Sequence, residues 1–292
     1  MLIIDTPYNT SKKIPALLAN NVGVVIRYYN FSNSSTFPEK RIELAEAQLL
    51  SASNIKIAVV FQQKQNATTD FSLQTGISSG TRAYRYAKDV IGQPAGSAIY
   101  FSVDYDASEN EVDNNIIPFF QGIQQAFNTE SGNSPEYKIG VYGSGLVSKS
   151  LLAKNLITYT WLTMSSGFNG SKQALDKKQY NLAQKAPSTT LAGIDVDYNI
   201  ANPTNPDFGQ FSIGQDESPH AGITQQFPKY KVSARSGLRL RGGPGLQFER
   251  IGLLKLNQIV YVTAEIDGWA KIDIEGDGNI DGFASLHFLE KV

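Results

Sequence analysis

Apolar residues over the first two hundred positions fall in short, nearly unbroken runs separated by longer amphipathic or polar stretches. Ile3 and Ile4 before Asp5, Val22–Tyr29, Ile55–Phe61, Ser97–Asp104, Tyr137–Tyr142, Thr158–Thr163, Gln179–Ala183 and Leu191–Tyr198 read as strands. Helical spacing predicts helices over Ile14–Ala19, Pro38–Ala52, Gly80–Ile91, Val112–Asn128 and Gly145–Asn155. In the second of these, Glu39, Glu43 and Glu46 are placed on the face away from Ile42, Ala45 and Leu49. Apolar strands alternating with helices imply a parallel sheet covered by helices. Eight such strands, beginning almost at residue 1, favour a closed TIM-like (β/α)8 barrel over an open doubly wound sheet. The open sheet also asks for a Gly-x-Gly-x-x-Gly turn, where this chain has Asp5-Thr6-Pro7-Tyr8.

The pattern changes after Asn202. Breakers crowd Asn202–Asp207, and beyond Pro228 the chain turns to short strands with Gly-rich turns: Leu238–Arg241, Ile251–Leu256, Ile259–Val262, Trp269–Ile272 and Gly282–Ala284. Two domains are expected, residues 1–228 as the barrel with its linker and residues 229–292 as a small all-β barrel.

Composition narrows the chemistry. Twenty-six basic against 27 acidic residues give a formal charge of −1, so no global polycation exists to hold a nucleic acid. There are no cysteines, which removes disulfides and thiol nucleophiles. The two histidines, His220 and His287, lie late in the chain, which excludes a Ser-His-Asp triad or a histidine-rich metal centre in the first two hundred residues. The start, Met1 to Asp5, does not read as a signal peptide, and no apolar run reaches the ~18 residues that span a bilayer. No cofactor is expected.

Carboxylates remain. In Tyr100–Asp106 at the end of the fourth strand, Asp104 and Asp106 share a strand face and are expected to reach the barrel's rim, where such folds do chemistry. Asp195 and Asp197 repeat the arrangement on the last strand, and Asp5 ends the first. Like charges converging there retain a proton on one of them, and an acid beside a carboxylate is the equipment for glycosidic cleavage. Arg27, Tyr28, Gln62 and Tyr142, at the ends of the second, third and fifth strands, are candidate substrate-binding donors. A structural use of single acids, or a divalent cation held by the same oxygens, are the competing readings.

The runs Ile4–Pro7, Ile26–Tyr29, Ile99–Asp106, Ile139–Gly143 and Gly193–Asn199 together resemble the glycoside-hydrolase-like domains related to the family 25 lysozymes, over about residues 2–200. That resemblance implies a (β/α)8 muramidase cutting between N-acetylmuramic acid and N-acetylglucosamine. The family's acids fall on Asp5, Asp104 with Asp106, and Asp197, and its proton-donating Glu is replaced here by Asp106. From about Val232 to Val292 the chain is similar to a bacterial SH3-like domain, through Leu238–Gly245, Gly252–Gln258, Asp267–Ile272 and Gly282–Ser285. This implies binding to bacterial cell-wall peptides, with Trp269 and Tyr261 as candidate aromatic surface. Asp273–Asp281 matches the first nine positions of a calcium loop but has Ala284 at position 12 and no entering helix, so a wet hairpin is preferred and any calcium would be structural.

The expected function is therefore a peptidoglycan glycosidase with Asp106 as general acid and Asp104 or Asp197 as charge stabiliser, acting outside the cytoplasm although no leader is visible. A non-catalytic cell-wall or carbohydrate-binding protein is the alternative, and a hydrolase of another polysaccharide a third reading.

Overall fold

The computed structural model describes residues 1–214, 227–248, 250–274, 276 and 280–292. The chain forms two compact units, Met1–Pro219 and His220–Val292. No helix among the described residues is long and apolar enough to cross a membrane.

In the first unit, β1 (Leu2–Asp5), β2 (Val22–Tyr29), β3 (Lys56–Phe61), β4 (Ala98–Ser102), β5 (Lys138–Gly143), β6 (Tyr159–Leu162), β7 (Leu182–Leu191) and β8 (Ile194–Ala201) pair in sequence order and close into a barrel. The helices are α1 (Ile14–Ala19), α2 (Leu44–Ala52), α3 (Leu73–Arg85), α4 (Glu109–Glu111), α5 (Ile117–Glu130), α6 (Gly145–Ala153) and α7 (Ser171–Asp176). α3 and α5 approach closely because Gly76 and Gly122 lie at their crossing: a Cβ on Gly76 would come 1.9 Å from the Phe119 carbonyl oxygen, one on Gly122 2.2 Å from that of Leu73.

The pairing departs from an all-parallel barrel at one strand. β8 runs antiparallel to both β7 and β1. Leu191 pairs with Ile194 across Ala192 and Gly193, both at positive φ (54° and 77°), and a two-residue turn joins only antiparallel strands. β7 is accordingly longer than expected, rising beyond the barrel as one arm of a hairpin.

Alternate residues of each strand point inward. Ile3, Val24, Ile26, Ala58, Val60, Ala98, Tyr100, Tyr159, Trp161 and Leu182 fill the barrel, and Phe208, from the segment after β8, joins them. Tyr100 donates to the Phe208 carbonyl (2.9 Å), and Gly140 opposite leaves room for the Tyr100 ring, since a Cβ there would lie 2.6 Å from it. Continuing the same alternation toward the strand ends gives Asp5, Tyr28, Gln62, Asp104, Tyr142, Thr163 and Gln184, and these form the next layer up.

The expected helix over Pro38–Ala52 begins only at Leu44. The preceding segment instead runs along the end of β2, where Arg41 bridges Tyr28 and Ile42 N–H donates to the Tyr28 carbonyl (3.0 Å), burying Ile42 completely.

The second unit is a sheet of β9 (Lys229–Val232), β10 (Leu238–Arg241), β11 (Arg250–Leu254), β12 (Ile259–Ile266), β13 (Trp269–Asp273), β14 (Gly282–Ser285) and β15 (Leu289–Lys291) in the order β11-β10-β14-β13-β12-β9-β15. Val232, Leu238, Leu240, Leu254, Val260, Val262, Ile272 and Leu289 make its core.

Candidate active site

The top layer of the barrel encloses a cavity of about 270 Å³ whose walls include Asp5, Tyr28, Gln62, Ser102, Asp104, Tyr142, Thr163, Gln184 and Asp197. Asp5, Tyr28, Gln62, Ser102, Thr163 and Gln184 each occupy the position one alternation step beyond an apolar core residue of their strand, and Asp104 lies one step further, past the end of β4. β8 contributes Asp197 from the beginning of the strand, because the reversed direction brings that end to the rim, opposite Asp5.

Asp5 is the most enclosed acid of the cavity, 3% exposed. Asn199 donates to its Oδ2 (2.7 Å), and Gln184 Nε2 donates to both its oxygens (3.0 and 3.3 Å) and to Asp197 Oδ2 (3.0 Å). One side-chain amide thus spans both carboxyl groups. Its orientation is fixed from behind, since Tyr142 donates its hydroxyl to Gln184 Oε1 (2.7 Å), just as Trp161 Nε1 fixes Asn199 through Oδ1 (2.8 Å). Burial pushes Asp5 up to about 7; the amide bonds pull the other way and the neighbouring Asp197 adds to the rise. Burial, then the nearby acids, holds Tyr28 and Tyr142 well above the usual phenol range, so both keep their protons.

Across the cavity Asp104 is exposed at the mouth, yet the surrounding walls raise it by desolvation, opposed by the Gln62 amide bond (3.1 Å) and by Lys40. Three polar atoms among the cavity walls, Ser102 Oγ, Thr163 Oγ1 and Asp197 Oδ1, are buried without a hydrogen-bond partner among the described residues. Leaving such groups unpaired costs about 1–3 kcal/mol each, so a cavity that collects them is built for a polar ligand.

Asp5, Asp104, Asp197, Tyr28, Gln62 and Tyr142 all reach the cavity; Asp106, Asp195, Arg27 and Trp269 do not. β4 ends at Ser102 and the chain bends at Tyr105, so the strand alternation no longer holds at Asp106, whose exposed carboxylate instead accepts the Asn169 backbone N–H (2.7 Å). Asp195 lies farther up the hairpin, exposed and hydrogen-bonded to Thr190 (3.1 Å). Arg27 has the opposite parity to Tyr28 and points out of the barrel, fully buried against Glu46 (2.9 Å). Glu46 is therefore an inward residue of α2 and not the solvent-facing one expected. Trp269 belongs to the second unit, where it lines a groove of about 470 Å³ with Arg235, Arg239, Leu246 and Phe288.

Gln184, Asn199 and Lys40 were not among the expected site residues. Asn199 is two positions from Asp197 and legible by the same alternation; Gln184 is hidden because the sequence pattern ends the seventh strand at Ala183, where the structure carries it on to Leu191. Of the expected calcium loop, Glu275 and Asp277–Asn279 lie outside the described residues. Asp273 accepts the Gly276 N–H and Asp281 the Ile274 N–H (2.7 Å each), both hairpin contacts. No acid or histidine cluster among the described residues is arranged to hold a metal ion. Asp5 in particular is surrounded by amide donors, the partners of a carboxyl group rather than of a cation. A larger groove of about 1060 Å³ lies beside α6 and α7, and its Asn181 and Asn202 amides are bonded to backbone groups.

An eight-stranded barrel with paired carboxyl groups at its rim, followed by a small β unit, defines a glycoside-hydrolase-like protein carrying an SH3 module. Residues 15–224 match the model of the Rv2525c-like, glycoside hydrolase-like domain, and the chain belongs to that family; residues 236–290 match the bacterial SH3 domain. The chain is 33% identical over 199 residues to the uncharacterised protein FadG of Bacillus subtilis, covering 66% of this chain and 34% of that one. It is 25% identical over 177 residues to a Mycobacterium tuberculosis protein named "Putative peptidoglycan hydrolase Rv2525c", covering 59% of this chain and 68% of that one. The chain thus spans about a third of the length of FadG, and less still of a second B. subtilis relative, YbfG (23%). The crystal structure of the Tat-secreted M. tuberculosis Rv2525c shares the barrel fold, with a TM-score of 0.57 at 23% identity over 72% of this chain and 98% of that one.

Proposed function

We propose that the barrel is a peptidoglycan glycosidase that cleaves between N-acetylmuramic acid and N-acetylglucosamine outside the cytoplasm, and that the SH3 unit holds it to the wall. The observation that carries this reading is the convergence of unpartnered Ser102, Thr163 and Asp197 oxygens with two carboxyl groups of raised pKa in one cavity. A relative named for peptidoglycan hydrolysis and a Tat-secreted structural neighbour support the substrate class and the location.

Asp104 serves as general acid: it opens to the mouth where a leaving oxygen arrives, and its walls favour the protonated form. Asp106, the acid expected from the family pattern, is committed to Asn169. Asp197 presents its free Oδ1 to an acetamido N–H or to the charge that develops at the anomeric carbon. Asp5 holds Asp197 in place through the shared Gln184 amide. Asp104→Asn should lower reducing-end release from purified peptidoglycan at least a hundredfold, and Asp106→Asn less than tenfold, with borohydride reduction and mass spectrometry placing N-acetylmuramic acid at the new end. Equal activity in both variants would reject the assignment. Absence of release by the wild type from walls with and without stem peptides would leave the non-catalytic wall-binding reading, which the replacement of the family's Glu by a diverted Asp106 favours.

A further inference from the structure

Among the described residues, Lys40 brings a cation to the edge of the cavity. Lys40 Nζ donates to Gln62 Oε1 (3.1 Å) and lies 4.6 Å from the centre of the Tyr28 ring, between two residues of the cavity wall. No lysine or arginine is among the residues that line the cavity itself. Lys40 is also built in place. The outward-facing Arg27, neutralised by Glu46, donates to the Lys40 carbonyl (3.1 Å) and the Glu39 carbonyl (2.8 Å), and the Arg41 bridge to Tyr28 pins the next residue to the barrel. A fully buried ion pair and a strand bridge thus hold this short segment so that its lysine meets the rim.

An ammonium group has three N–H donors, and Lys40 places one on a protein acceptor among the described residues. It makes no direct ion pair among the described residues, although Asp104, bonded to the same Gln62 amide, attracts it through space. Burial lowers its pKa to about 8 against the opposing pull of Asp104, the mark of a partly desolvated charge that a closer anion would restore. Gln62 ties the two ends together, its carbonyl turned to Lys40 and its amide to Asp104.

We infer that Lys40 is a specificity-determining residue that receives a carboxylate carried directly on the sugar, so that the cleft prefers acidic saccharides to neutral ones. This rests on the reading of the cavity as a saccharide cleft. In peptidoglycan such a group is the lactyl carboxylate of N-acetylmuramic acid, and it is charged only where the stem peptide has been removed from it. The preferred strand is therefore one already stripped by a reaction of the amide-hydrolysing class, which places this protein after that step.

Calorimetric titration of the full chain with three tetrasaccharides tests the inference without requiring turnover: one alternating N-acetylglucosamine with N-acetylmuramic acid bearing free lactyl groups, the same with each lactyl group amide-linked to a stem peptide, and the neutral N-acetylglucosamine tetramer. Wild type should bind the free-lactyl form roughly tenfold more tightly than either other. Lys40→Met should abolish that preference while leaving affinity for the neutral tetramer within twofold, and Lys40→Arg should keep it. A preference that survives in Lys40→Met, a preference for the peptide-bearing form, or equal binding of all three by wild type would each overturn the inference. Binding preference without cleavage would refute the glycosidase and leave this inference standing; cleavage with no preference would do the reverse.

Discussion

Replacing Asp5 with asparagine should make the barrel more stable at neutral pH and remove a specific part of its pH dependence. Burial pushes the native carboxyl up to about 7 against the usual 3.8 of an aspartate, a difference of about 3 pH units. At 1.36 kcal/mol per unit this corresponds to about 4 kcal/mol, the cost of ionising Asp5 in place. The sign follows from proton counts. Between about pH 4 and 7 the folded protein keeps a proton that the unfolded chain has lost, so stability falls as pH rises through that window and the full cost stands above 7. Asparagine cannot ionise, but its Nδ2 would face the Asn199 or Gln184 donors, which offsets part of the gain and leaves a net of about 2 kcal/mol at pH 7.5. Trp161 belongs to the first unit and Trp269 to the second, and they are the chain's two tryptophans, so urea unfolding followed by fluorescence in a Trp269→Phe background isolates the barrel. The difference in stability between Asp5→Asn and the parent should grow from pH 5 to pH 7.5. Parallel stability curves across that range would show that Asp5 is not protonated in the native cavity, and the account of its burial would fail.

Two further outcomes follow from the packing. Glu46→Gln should destabilise the barrel by about 3 kcal/mol or more in the same urea assay, because it leaves the fully buried Arg27 charge without its counter-ion, and it should weaken saccharide binding through the loosened Lys40 segment. Residues 229–292 expressed alone should fold cooperatively, since the small unit has its own apolar core, and should sediment with insoluble peptidoglycan; a fragment with no unfolding transition would show that this core is insufficient.

Strand alternation made much of the site legible. Once Asp5, Tyr28, Gln62, Asp104 and Tyr142 are placed at strand ends, period two sends them inward together. The same reasoning overreached where regular backbone stopped, as at Asp106 beyond the bend of Tyr105, and where parity was not applied, as at Arg27, one residue from the inward Tyr28. Glu46 was misjudged because helical spacing separates a polar from an apolar face but does not reveal a buried cation waiting on a neighbouring strand. The direction of β8 was obscured by a weak turn signal: Ala192-Gly193 adopts the left-handed pair that Asn-Gly would have announced. The acids nevertheless met, since Asp197 faces inward near one end of its strand and the reversal brings that end to the rim.

The β7–β8 hairpin gives one wall of the cleft an unusual way to change over evolutionary time. A wall made from a loop and a helix can grow by any number of residues, but a paired ribbon keeps its side-chain facing only when its arms lengthen by even numbers, as from Lys185 opposite Tyr198 to Thr189 opposite Val196, where β7 spends four residues to two of β8; regular growth is two residues on each arm. Each such step adds about 7 Å of height, and an odd insertion turns every residue above it to the other face. Asp195 lies two residues above Asp197 on the ribbon, paired with Thr190 and outside the lining of the present cavity. Relatives with longer or shorter ribbons would then differ in the depth of the cleft by whole increments, with the closed barrel beneath left unchanged.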